Sequence, residues 1–159
     1  MSDFWLHLLH QALFGGIAAA GFGILFNSPP RMIVQCFASG ALALAIRTAG
    51  QATALNLPEA SFVAALIVAA VERTLQYFHS TRGSILAVAG CIPMIPGSVA
   101  ANGLMNLLAL LSARPGDEVL AATNGMKNLL TVAFTLTAMG TALAIPRLIA
   151  PIKTQYETS

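Results

Sequence analysis

The chain has 159 residues, of which 57% are hydrophobic and only 9% charged, with a net charge of +2 and a mean hydropathy of +0.76. So apolar a chain excludes an ordinary soluble domain and reads as a single integral membrane domain over residues 1–159 in a lipid bilayer, all-α, with about five transmembrane helices at roughly 20 residues per span. Its few cations are scattered, which excludes the clustered Lys and Arg that nucleic acid or anionic lipid requires.

The first predicted helix, about residues 4–26, opens on Met1-Ser2-Asp3-Phe4-Trp5 without a cationic leader region, and is expected to be a retained helix. Gly15, Ala19 and Gly23 recur every four residues on one face, the pattern that lets a second helix approach closely. His7 and His10 lie beside Trp5 at the membrane edge, where amphipathic rings are at home. Asn27-Ser28-Pro29-Pro30 ends the segment.

The second helix is expected at about 31–50, with Arg47 near its far end, where a long side chain can snorkel to the headgroups. Pro58 and Glu59 open the third, about 58–78, as proline and an acid suit a helix N-terminus. Within it Glu72 shares a face with Gln76, and is a candidate for proton coupling as well as for a structural role near the interface. Cys36 and Cys91 fall in apolar segments with no metal-ligand spacing around them, so they read as buried structural thiols, and no metal or cofactor is expected.

After the polar loop His79 to Gly83 comes the interrupted segment, Ser84 to Leu111, which as one straight helix would be about 42 Å long, more than the roughly 30 Å of the hydrocarbon core. Pro93 and Pro96 remove two backbone donors, so the fourth span is expected to break at this Pro-x-x-Pro-Gly motif into halves of about 84–92 and 98–111. Broken backbone in a membrane survives only against protein or a wet cavity. Two readings follow: a small-solute path, or a mere kink in a packed helix. In the second half Ser98, Asn102 and Asn106 form a polar ladder at i, i+4 and i+8. The backbone N–H groups at Gly97 and Ser98 would aim the positive end of this half helix into the break, a seat for a carboxylate.

Arg114 to Glu118 is the next turn, and the last helix is expected over about 117–145, stopped by Pro146, with a charged tail at 147–159. Its second polar stripe runs Asn124, Lys127, Asn128, Thr131, Thr135, with Lys127 adding a formal charge. Lys and Arg near the helix ends favour Arg31, Arg73, Arg82, Arg147 and Lys153 on one side over Arg47 and Arg114 on the other. Five crossings then place the C-terminus in the cytoplasm and the N-terminus outside. A re-entrant pair at the break would change that parity. No nucleotide loop, metal motif or nucleophile–base pair is present, so an enzyme is not expected.

Gly21-Phe22-Gly23-Ile24-Leu25-Phe26-Asn27-Ser28-Pro29, Ile92-Pro93-Met94-Ile95-Pro96-Gly97, Asn128-Leu129-Leu130-Thr131 and Ala144-Ile145-Pro146 together resemble the small subunit of the threonine/serine exporter family, or the C-terminal half of its single-chain members, over about residues 4–147. The resemblance implies a bacterial inner-membrane protein, a larger membrane subunit as partner, and export of small amino acids or of dicarboxylates such as succinate. Lys127 departs from the pattern, which has a small polar residue there. The residues placed around the path are Pro93, Pro96, Gly97, Ser98, Asn102, Asn106, Asn124, Lys127, Asn128 and Thr131. The rival reading is a structural subunit that only stabilises its partner. The small-residue faces would also serve a second copy of the chain.

Overall fold

The computed structural model describes residues 2–79, 84–112 and 118–149, and among them the chain is helical throughout, without strands. The elements are α1 (Ser2–Leu25), α2 (Pro30–Ala52), α3 (Leu57–His79), α4 (Ser84–Cys91), a 3-10 turn at Ile92–Met94, α5 (Gly97–Ala109), a second 3-10 turn at Leu110–Ser112, and α6 (Glu118–Ile149). The expectations for the Ser80–Gly83 loop, the Arg114–Asp117 turn and the tail from residue 150 lie outside the described residues.

Helix ends follow local chemistry. After α1, Asn27 adopts a left-handed conformation (φ 54°), and the N–H groups of Ser28 and Asn27 return to the carbonyls of Gly23 (3.0 Å) and Ile24 (2.9 Å). These two bonds quiet carbonyls that a helix end would otherwise expose. At the start of α3, Glu59 accepts the N–H of Asn56 at 2.9 Å, the return half of a capping box.

The expected stop at Pro146 is overturned: α6 runs through it to Ile149. In the last turn the ring removes one hydrogen bond, to the carbonyl four residues back, and so few residues follow that nothing further is lost.

Small residues set the packing. The Gly15, Ala19 and Gly23 face of α1 lies against α2, where a Cβ on Gly40 would overlap the Ala19 Cβ and come within 2.5 Å of the Gly15 carbonyl oxygen. The main core joins α2, α3, α4 and α6 through Ala43, Leu44, Ala64, Ala65, Val68, Ala87, Cys91, Met94, Met139 and Ala142. Helix α4 is set against α1, α2 and α3, whereas α5 packs chiefly on α6.

Three described helices are long and apolar enough to cross a membrane, at Asp3–Leu25, Pro30–Ala52 and Glu118–Ile149, and the bent pair Leu86–Met94 and Gly97–Ala109 makes a fourth if counted as one span. That is fewer than the five expected. The difference is α3, which has 23 residues but carries Glu59, Glu72 and Arg73.

Candidate functional site

Between α4 and α5 the two prolines replace α-helical bonding with local turns. Ile95 N–H reaches the Ile92 carbonyl at 3.0 Å and Gly97 N–H the Ile95 carbonyl at 2.8 Å, after which Ala100 N–H makes the first α-helical bond, to Pro96, at 3.0 Å. The two half helices are bent by 42°. Gly97 N–H is therefore engaged, contrary to the expectation that it points free into the break. What Gly97 contributes is room: a Cβ there would meet no atom within 4 Å.

Met94 is wholly buried, and its carbonyl accepts a 2.7 Å hydrogen bond from Nη1 of Arg47. Arg47 thus does not snorkel outward as expected. A guanidinium keeps its charge and offers several donors, so it satisfies a carbonyl that the break exposes in an apolar interior, where an unpaired one is costly. Sequence reasoning missed this role, because a pairing across 47 residues has no local signature.

The two polar stripes do not close over one cavity. Helix α5 meets α6 through Gly103 and Leu107, against Gly125, Asn128 and Leu129, while Ser98 and Asn102 remain exposed, as does Asn124 of α6. Pro96 is buried and Pro93 and Asn106 half-buried. Asn106 donates to the carbonyl of Asn102 (2.8 Å), Thr131 to Lys127 (2.8 Å) and Thr135 to Thr131 (2.7 Å), each within its own helix. Lys127 and Thr131 lie on the other flank of α6 from Asn128, lining an open groove of about 1320 Å³ against α3, with Asn56, Glu59, Phe62 and Phe134.

Glu72 lies apart from both stripes. It is 5% exposed, and its Oε1 has no hydrogen-bond partner. It lines a smaller cavity, about 140 Å³, between α2, α3 and the start of α4, together with Gln35, Ser39 and apolar residues including Val68 and Leu86. The backbone of Ala87 and Leu86, Arg147 of α6 and Gln76 all act on its charge. Ser39 donates to the Leu86 carbonyl at 3.1 Å, and Gly90, one turn further along α4, lies so close to Ser39 that a Cβ would overlap its side chain.

A family model described as Threonine/Serine exporter, ThrE, matches residues 11–149, the whole of this helical assembly apart from the first turns of α1. No solved structure matches the chain.

Proposed function

Because the chain belongs to the threonine/serine exporter family, we propose that it is the small subunit of a two-component secondary exporter of small carboxylate-bearing metabolites, threonine and serine or dicarboxylates such as succinate. The observation that carries this reading is the uncovered polar face beside the break. Ser98 and Asn102 are exposed on α5, whose other exposed side chains are apolar, and Asn124 is exposed on α6; polar groups at membrane depth are kept for protein neighbours or a wet path. A larger membrane subunit docked there would enclose the path between the two chains. Substrate then passes the opening at Pro93, Pro96 and Gly97, with Ser98, Asn102, Asn106, Asn124 and Asn128 offering hydrogen bonds. Lys127 supplies a cation for a carboxylate from the α3 flank, where Thr131 lines the same groove. Alternating access works by rocking the two half helices about the break. Glu72 couples transport to a cation gradient by taking up and releasing a proton.

In this reading the chain crosses a bacterial inner membrane five times, N-terminus outside and C-terminus in the cytoplasm. Support comes from the direction of α3 and α6. The groove between them is lined by Asn56 to Val63 at the start of α3 and by Ala122 to Ala138 of α6, while Glu72, further along α3, senses Arg147 near the end of α6, so the two run parallel. Parallel neighbours need one net crossing between them, which a bent α4–α5 span supplies and a re-entrant pair does not.

A second reading, a subunit that only stabilises its partner, draws on the Asn106, Thr131 and Thr135 side chains, which bond back to their own helices. Efflux of radiolabelled threonine and succinate from cells with and without this chain, each with the larger subunit, separates the two. The exporter reading expects faster efflux of at least one solute, and its loss at unchanged complex yield in a Gly97→Leu, Asn102→Leu double variant. No difference for either solute removes the exporter reading, and normal efflux from the double variant removes the site. A loss of complex yield in that variant, with efflux per complex preserved, establishes the structural one.

A further inference from the structure

Among the described residues that line the cavity beside Glu72, three carry side-chain oxygen: Gln35 and Ser39, four apart on α2 and so on one face, and Glu72 on α3; Ala38, Leu42, Val68, Val71, Leu75 and Leu86 are apolar. The Ser39 hydroxyl hydrogen is committed to the Leu86 carbonyl, so only its lone pairs remain to face a ligand. Glu72 Oε1 is a buried acceptor with no donor. The Gln35 amide sits on an exposed position at the opening between α2 and α3 and can turn its oxygen inward. The backbone of Ala87 and Leu86 and the Gln76 side chain hydrogen-bond to the Glu72 carboxylate but leave Oε1 without a donor, and a buried carboxylate oxygen left unpaired is strongly disfavoured, so Oε1 calls for a positive ligand.

The size and charge of the cavity narrow the choice. About 140 Å³ is far more than a proton needs and accommodates a small cation with a few waters, each taking roughly 30 Å³. An all-oxygen donor set suits a hard cation. A single carboxylate, whose charge Arg147 already offsets in part, suits one positive charge rather than two. Among the described residues, the other titratable groups on which Glu72 acts are the thiols of Cys36 on α2 and Cys91 on α4. Neither lines the cavity.

We propose that the cavity between α2, α3 and α4 binds a partly hydrated sodium ion, with Glu72 Oε1, Ser39 Oγ and the Gln35 side-chain oxygen as its protein ligands. Sodium and the proton are alternatives on the same carboxylate oxygen. The inference therefore deepens the reading of Glu72 as the coupling residue and rests on it for its transport consequence, though not for binding itself.

Thermal melting of the purified full-length chain with its larger subunit, in sodium chloride and in choline chloride at equal ionic strength, tests the site. Sodium is expected to raise the melting temperature saturably and choline not at all, with the half-saturating concentration rising as pH falls. Glu72→Gln abolishes the sodium response, and Ser39→Ala and Gln35→Leu shift its midpoint upward. Binding of radioactive sodium to the same samples reports the site directly in any variant whose melting is altered for other reasons. Equal melting in the two salts at every pH, or a sodium response undiminished in Glu72→Gln, overturns the proposal. Absence of sodium binding to the unsubstituted protein, together with lost efflux in Glu72→Gln, defeats the sodium site and leaves the coupling role standing. Sodium binding to the unsubstituted protein that Glu72→Gln abolishes, together with normal efflux in that variant, upholds the site and defeats the coupling role.

Discussion

Two oxygens buried in the same helical core have opposite fates. The Met94 carbonyl, on a wholly buried residue, is taken by Arg47; the Glu72 Oε1, on a residue only 5% exposed, has no partner. Both lie where α4 meets its neighbours, about two turns of helix apart along the chain from Leu86 to Met94. The contrast separates holding from handling. A polar group answered by the protein's own donor stabilises one arrangement of the backbone, whereas one the protein leaves unanswered is suited to a ligand that comes and goes.

Removing the answer should therefore harm the fold first. Arg47→Leu leaves the Met94 carbonyl buried and unpaired, an expected loss of about 3 kcal/mol, read as a lower melting temperature and a lower yield of detergent-soluble protein. Arg47→Lys, which keeps a charge but presents a compact ammonium in place of the planar fork, is expected to recover part of that loss. A melting temperature unchanged by Arg47→Leu would show that the break holds itself, and the distinction between the two oxygens would fall.

Gly90 lies between the two on α4, and a substitution there strikes both. Its added Cβ would meet the Ser39 side chain and come within 3.0 Å of the Ser39 backbone carbon, so α4 must draw back from α2. Gly90→Ala is expected to cost about 2 kcal/mol and at the same time to reduce efflux per folded molecule, since the cavity and the break both lose their α2 wall. A variant that melts early but transports normally once folded confines the Glu72 cavity to a structural role.

What could be read in the sequence divides along the same line between local and distant chemistry. Proline's missing donor acts on its own helix, a local effect, and α5 begins at Gly97. The Gly15, Ala19, Gly23 face was legible because small residues at fourfold spacing announce a close approach, and all three are buried. The polar ladder on α5 was legible as a face, but what that face meets was not: Gly103 and Leu107 make the contact with α6, and Ser98 and Asn102 stay outside it. Arg47 was misread because an arginine near a helix end has water within reach in most settings; here the burial of Met94 on α4 turns it inward. Pro146 was misread because the rule that proline ends a helix weakens in the last turn, where a single bond is at stake. Glu72 was singled out, yet its neighbours Gln35 and Ser39 were not, since they face it only once α2 and α3 pack.

The smallest expected change in stability comes with the largest change in function. Glu72→Gln removes no hydrogen bond from Oε1, which makes none, and brings amide donors into a cavity where the Ser39 hydroxyl, which donates to the Leu86 carbonyl, has its lone pairs left to accept. The stability change should stay under about 1 kcal/mol, while efflux falls to the background of cells lacking the chain. Glu72→Asp retains the charge on a shorter stem and should keep part of the flux. If Glu72→Gln instead destabilised the protein as much as Arg47→Leu does, the carboxylate would be one more answered group in the core, held by the backbone of Ala87 and Leu86 and by Arg147 and Gln76. The coupling role would then have to move to a titratable group outside this cavity.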